Sequence, residues 1–144
     1  RSATGVSLAR ASETMHQTRA YKRVYWAGAV FALRLDIALR SSTQGRQSLD
    51  DAMVAIGQRF SSRERVSADQ LLRAIDAWHG RPLAVPLAAE ALAQTTFGDL
   101  TSELRLLGVV LEVGGVRLVD RAPLARMRRE VALGARAGSR RSLR

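Results

Sequence analysis

The stretch from Tyr21 to Ser41 constrains the fold of this chain more than any other. It reads Tyr-Lys-Arg-Val-Tyr-Trp-Ala-Gly-Ala-Val-Phe-Ala-Leu-Arg-Leu-Asp-Ile-Ala-Leu-Arg-Ser. No polar residue interrupts the run from Val24 to Leu33 apart from the hydroxyl of Tyr25. Val24, Gly28, Phe31, Leu35 and Leu39 recur at three- and four-residue spacing, which stacks them on one face of a helix. Trp26, Val30, Leu33 and Ile37 widen the apolar arc beyond one stripe, the pattern of a helix buried around most of its circumference. Arg34 and Asp36 end the unbroken run at about half the length a bilayer requires, so this is a core helix and not a membrane span.

Helix signals organise the rest. Ser7 is placed to cap a short helix reaching Gln17, and Ser41 to Gln47 reads as a polar loop around Gly45. Ser48 opens a helix whose first turn carries Asp50 and Asp51, with Leu49, Met53, Ile56 and Phe60 as its apolar stripe. A charged connector from Ser61 leads to Val66. Ser67 and Gln70 have the spacing of a capping box, with Val66 and Leu71 as a hydrophobic staple, and Gly80 ends the helix that buries Leu71, Ile75 and Trp78. Pro86 suits the first turn of a helix reaching about Thr95. Gly98 and Asp99 start a further helix with Leu100, Leu104 and Leu107, closed by Gly108. Val109–Val113 and Val116–Val119 flank Gly114-Gly115, the composition of a two-residue hairpin. Asp120 to Leu133 returns to helical spacing with Leu124, Met127 and Val131. The expected fold is mainly α: a helical domain over residues 1–133, one C-terminal β-hairpin at about 109–119, and a basic, loosely held tail at 134–144.

At 144 residues the chain is long enough for one real core. It has no cysteine, which excludes disulfides and thiolate metal sites. No charged-then-apolar leader opens it, so any secretion signal is expected upstream of Arg1. The net charge of +10 is unevenly spread: residues 1–61 carry +5, residues 62–120 carry −2, and residues 121–144 carry +7. Lys22 stands alone beside 22 arginines, which points to codon usage as much as to phosphate binding. A solvated tail is the simplest reading of the C-terminal arginines; a weak electrostatic arm for RNA or anionic lipid is the other.

One set of residues carries a resemblance. Tyr25-x-x-Gly28, then an apolar helix with Leu35-Asp36 and Leu39-Arg40, then Thr43-x-Gly45 and Ser48-Leu49-Asp50-Asp51-x-Met53, resembles the M61 (glycyl aminopeptidase) family of zinc peptidases. The similar segment runs from about Tyr21 to Phe60. In that family, and in the related M1 aminopeptidases, the tyrosine of this pattern stabilises the oxyanion intermediate. The resemblance therefore implies that Tyr25 is a catalytic oxyanion donor, with Gly28 leaving room for substrate. One departure is Ala27, where relatives often carry lysine. Ser48-Leu49-Asp50-Asp51 is explained by helix capping alone and marks the family without entering the chemistry.

Such peptidases hold zinc with a His-Glu-x-x-His helix and a downstream glutamate. The only histidines here are His16 and His79, neither in that motif and both read as surface or capping residues. The resemblance thus implies no metal site in this chain, zinc in the full-length parent, and as partners the remainder of the parent catalytic domain and a peptide substrate. No membrane span and no specific nucleic acid are expected of this soluble chain, which alone should not hydrolyse peptides. From the residues alone, Tyr25 reads as a core tyrosine with a satisfied hydroxyl, and Tyr21, one turn earlier, is the rival for the catalytic role. Asp36 and Arg40 read as an i, i+4 ion pair. A second class of function is a winged-helix nucleic-acid module built from residues 67–79, 86–95, 99–107 and the hairpin. Its recognition helix, Asp99 to Leu107, sets Asp99 and Glu103 against Arg105 alone, a poor surface for phosphates.

Overall fold

A computed structural model describes residues 5–60, 65–96 and 99–133. The expected class is observed: a mainly α-helical fold with one two-stranded antiparallel hairpin near the C-terminus. The helices are α1 (Leu8–Glu13), α2 (Met15–Thr18), α3 (Tyr21–Ser42), α4 (Leu49–Arg59), α5 (Ala68–His79), α6 (Ala84–Ala93), α7 (Thr101–Leu106) and α8 (Ala125–Leu133). The strands β1 (Val109–Glu112) and β2 (Gly115–Leu118) lie between α7 and α8. Among the described residues no helix is long and apolar enough to cross a membrane.

The core is centred on the C-terminal half of α3. Leu35 and Leu39 are sealed there against Ala52 and Ile56 of α4, Ala74 and Ile75 of α5, and Ala84 of α6, with Phe31, Leu71 and Trp78 closing the sides. Fully burying each leucine is worth about 1.5–3 kcal/mol. The N-terminal half of α3 departs from expectation. It packs against α1 and α6 on one side only, so Val30 is buried whereas Tyr25 and Trp26 are 72% and 61% exposed. The helix is amphipathic in its first half because nothing among the described residues covers its other side. In α4, Leu49, Ile56 and Phe60 face the core as expected, whereas Met53 is exposed and Ala52 is buried in its place.

The caps follow the sequence closely. The Ser7 hydroxyl accepts from Arg10 N, and Ser67 with Gln70 forms the expected box. Ser48 also forms a box, closed by Asp51, whose carboxylate returns to the Ser48 backbone N–H at 3.0 Å. Asp36 does more than pair with Arg40. One oxygen accepts from Arg40 Nε at 2.9 Å and the other from the first N–H of α4, on Leu49, at 2.8 Å.

Helix α6 begins at Ala84, two residues before the expected Pro86, and ends at Ala93 rather than Thr95. The reason is Asp76, whose carboxylate reaches from α5 to accept from the backbone N–H groups of Leu83, Ala84 and Val85 at 2.8, 2.6 and 3.2 Å. These are donors that a helix start leaves without partners, and a negative charge there complements the helix dipole. We expect Asp76→Ala to cost about 3 kcal/mol, because three donors lose a charged acceptor together. A denaturant midpoint equal to that of the wild type would contradict this, and Asp76→Asn should fall between the two.

The C-terminal elements form a smaller unit. Helix α7 is shorter than expected, starting at Thr101, whose N–H and hydroxyl both donate to the Asp99 carboxylate. The hairpin pairs Val109 with Leu118 and Glu112 with Gly115, so the turn is Val113-Gly114 and not Gly114-Gly115. Only one position of the turn needs a positive φ, and Gly114 takes it at +89°. Helix α8 starts at Ala125, five residues later than expected, because Asp120 and the segment before Pro123 are used to fasten the hairpin. Arg128 Nη1 donates to the carbonyls of Leu107, Gly108 and Val119, and Nη2 to Asp120. The expected connector at 61–64, Gly98 and the tail at 134–144 lie outside the described residues.

Candidate functional site

The two positions singled out by the resemblance lie on the uncovered face of α3. Tyr25 is the most exposed aromatic residue among the described residues. Among the described residues nothing hydrogen-bonds its hydroxyl, so it is not a core tyrosine. Gly28 follows one turn later, and a side chain added there would meet nothing within 4 Å. Trp26 and the small Ala29 share the exposed surface, giving a strip of rings followed by bare helix. Tyr21, the rival, differs in environment. Its hydroxyl is 3.1 Å from His16 Nδ1, with the two rings edge-on at 5.6 Å, so it is already engaged within the chain.

His79 lies far from that strip, in a polar cluster at the opposite end of α3. Its Nδ1 is 2.6 Å from Gln47 Oε1 and its Nε2 is 3.3 Å from Ser42 Oγ, while Arg81 Nε donates to the same Nε2. The Ser42 hydroxyl donates to the Leu39 carbonyl, so this cluster ties the end of α5 to the end of α3 rather than activating a nucleophile. No group of three or more His, Cys, Asp and Glu side chains among the described residues could hold a metal ion. The residues present therefore do not fit zinc, and no step is assigned to a metal within this chain.

The elements of the nucleic-acid alternative are present in order, but the carboxylates around α7 are tied into the fold. Arg34 of α3 donates to Glu103 at 2.6 Å and to the Asp99 carbonyl at 2.9 Å, which docks α7 onto the core. Burial works against ionisation of Glu103. Hydrogen bonds from its own backbone N–H, the Ser102 hydroxyl and Arg34 outweigh that and hold its carboxyl below the usual glutamate range. The Asp99 carboxyl is likewise lowered, chiefly by the Thr101 hydroxyl. A six-residue helix carrying an ionised Glu103, with an ionised Asp99 just before it, is unfavourable to phosphates. Arg126, Arg128 and Arg129, from the most basic part of the sequence, are each paired with a carboxylate.

The exposure of Tyr25, the Asp76 cap, the Arg128 fastening and the His79 cluster were all outside sequence reasoning. The partners of His79 lie 32 and 37 residues away, with no local spacing to signal them. In comparisons with known proteins, no family model, no curated protein and no solved structure matches the chain.

Proposed function

We propose that the chain is the C-terminal helical part of a zinc peptidase resembling the glycyl aminopeptidases. It walls the substrate cleft along α3 and supplies Tyr25 as the donor that stabilises the oxyanion. The observation that carries this reading is the Tyr25 hydroxyl, free of any partner among the described residues, on an uncovered helix face beside a glycine. An exposed tyrosine and tryptophan together are an unfavourable surface for a finished domain and a suitable one for a face that meets the remainder of a catalytic unit. The metal and the general base come from that remainder, together with the peptide substrate.

The test is the coding sequence upstream of Arg1 and the protein made from it. That protein should contain His-Glu-x-x-His and bind one zinc per chain, whereas the 144-residue chain should show no saturable one-to-one zinc site in calorimetric titration at micromolar concentrations. An upstream region without a metal-binding motif would end this reading.

A further inference from the structure

A cavity of about 300 Å³ opens between the C-terminal end of α3 and the first turn of α8, away from the Tyr25 face. Arg40, Gln44, Leu124, Arg126, Met127 and Glu130 are among the residues that line it. The volume is at the lower end of the range for small-molecule clefts, roughly 300–1,000 Å³.

The chemistry of the cavity is set by Arg40. Its side chain is only 8% exposed, and its Nε is spent on Asp36 at 2.9 Å. Among the described residues nothing accepts from its two terminal nitrogens. Among the described residues no side-chain nitrogen is sealed away without a partner, so those nitrogens reach open space, and Arg40 is one of the residues lining the cavity. Asp36 cannot turn to them, because its other oxygen holds the Leu49 N–H. A guanidinium fixed at Nε and open at its far end presents two parallel N–H groups, the fork that carboxylates and phosphates match.

The surroundings choose between these anions. Glu130 lines the cavity with its side chain 14% exposed, and the last carbonyls of α3 place the negative end of a helix dipole nearby. Both disfavour a dianion and tolerate a single negative charge. Leu124 and Met127 add an apolar wall. At the rim Arg126, 77% exposed, pairs with Glu130 and, among the described residues, with no other carboxylate. We infer that this cavity binds a monoanionic carboxylate bearing a short apolar group, with the Arg40 fork on the carboxylate. The carboxylate belongs either to a free small acid or to the C-terminus of a peptide.

Titration of the whole chain, followed by NMR, tests this with three probes: N-acetyl-leucine, N-acetyl-leucinamide and a short acetylated peptide ending in leucine. The acid should perturb residues 40–45 and 123–130 with a millimolar Kd, and the amide should bind at least about tenfold more weakly. A tighter peptide assigns a polypeptide C-terminus, and a tighter amino acid assigns a free carboxylate. Because Arg40 also anchors Asp36, the variant is placed elsewhere. Gln44→Glu, at an exposed position on the rim, should weaken the acid several-fold without changing the Tm. Equal binding of acid and amide, perturbations scattered over the basic surface, an unaffected Gln44→Glu variant, or inorganic phosphate binding as tightly as the acid would each overturn the assignment.

Discussion

In the proposed parent peptidase, Tyr25→Phe is expected to lower kcat by roughly 10²-fold or more and to leave KM nearly unchanged. In the proposed role the hydroxyl acts where negative charge develops on the carbonyl oxygen, so its loss would raise the barrier without much weakening substrate in the ground state. The structure makes this a clean substitution. The ring is mostly exposed and the hydroxyl has no partner among the described residues, so phenylalanine leaves no donor or acceptor stranded and the Tm should hold.

Tyr21→Phe is the matched control. It removes a hydroxyl that already meets His16 at 3.1 Å, and it should leave kcat close to the wild-type value. Should the two variants exchange behaviour, the alignment of the tyrosine-glycine pattern is off by one turn. Full activity in both would leave Tyr25 a surface tyrosine and reduce the resemblance to one of sequence pattern without shared chemistry.

How far the sequence reaches is clearest at the helix ends. Ser7, Ser48 and Ser67 cap where they were expected to, since a cap is decided by four or five neighbouring residues. Gly80 ends α5 in the left-handed conformation for the same local reason. What fails is whatever depends on a distant partner. Asp76 fixes the start of α6 from seven to nine residues away, so the helix begins at Ala84 with Pro86 in its first turn but not at its start. Hydrophobicity states that Tyr25 and Trp26 favour burial, but not what buries them. Along α3 the same apolar pattern is sealed at Leu39 and open at Tyr25, because α4, α5 and α6 together enclose the second half while α1 and α6 cover the first on one side only. The candidate site was legible through the resemblance alone, while the Arg40 cavity was hidden behind a correctly expected pair with Asp36.

Gly108→Ala is expected to unfasten the C-terminal unit, at a cost of about 4 kcal/mol, in the exceptional range for a single substitution. Gly108 has φ +72°, where an added Cβ is strained in any surroundings. The surroundings make it worse: the Cβ would lie 2.2 Å from the Val119 carbonyl oxygen and 2.7 Å from the Ala122 Cβ. The first of these is backbone and cannot rotate away. It is also held in place, because Val119 N donates to the Gly108 carbonyl at 2.7 Å and Arg128 Nη1 donates to both carbonyls. Relief therefore requires the base of the hairpin to part from α8. The damage should be local, since the sealed cluster around Leu39 draws on α3 to α6 and not on the hairpin. Hydrogen exchange should show protection lost at the Val110, Arg117 and Val119 amides, which donate across the hairpin, and retained along α3. Uniform protection across both regions would mean that the turn relaxes around the methyl group, and that Arg128 does not fasten the hairpin as tightly as its contacts indicate.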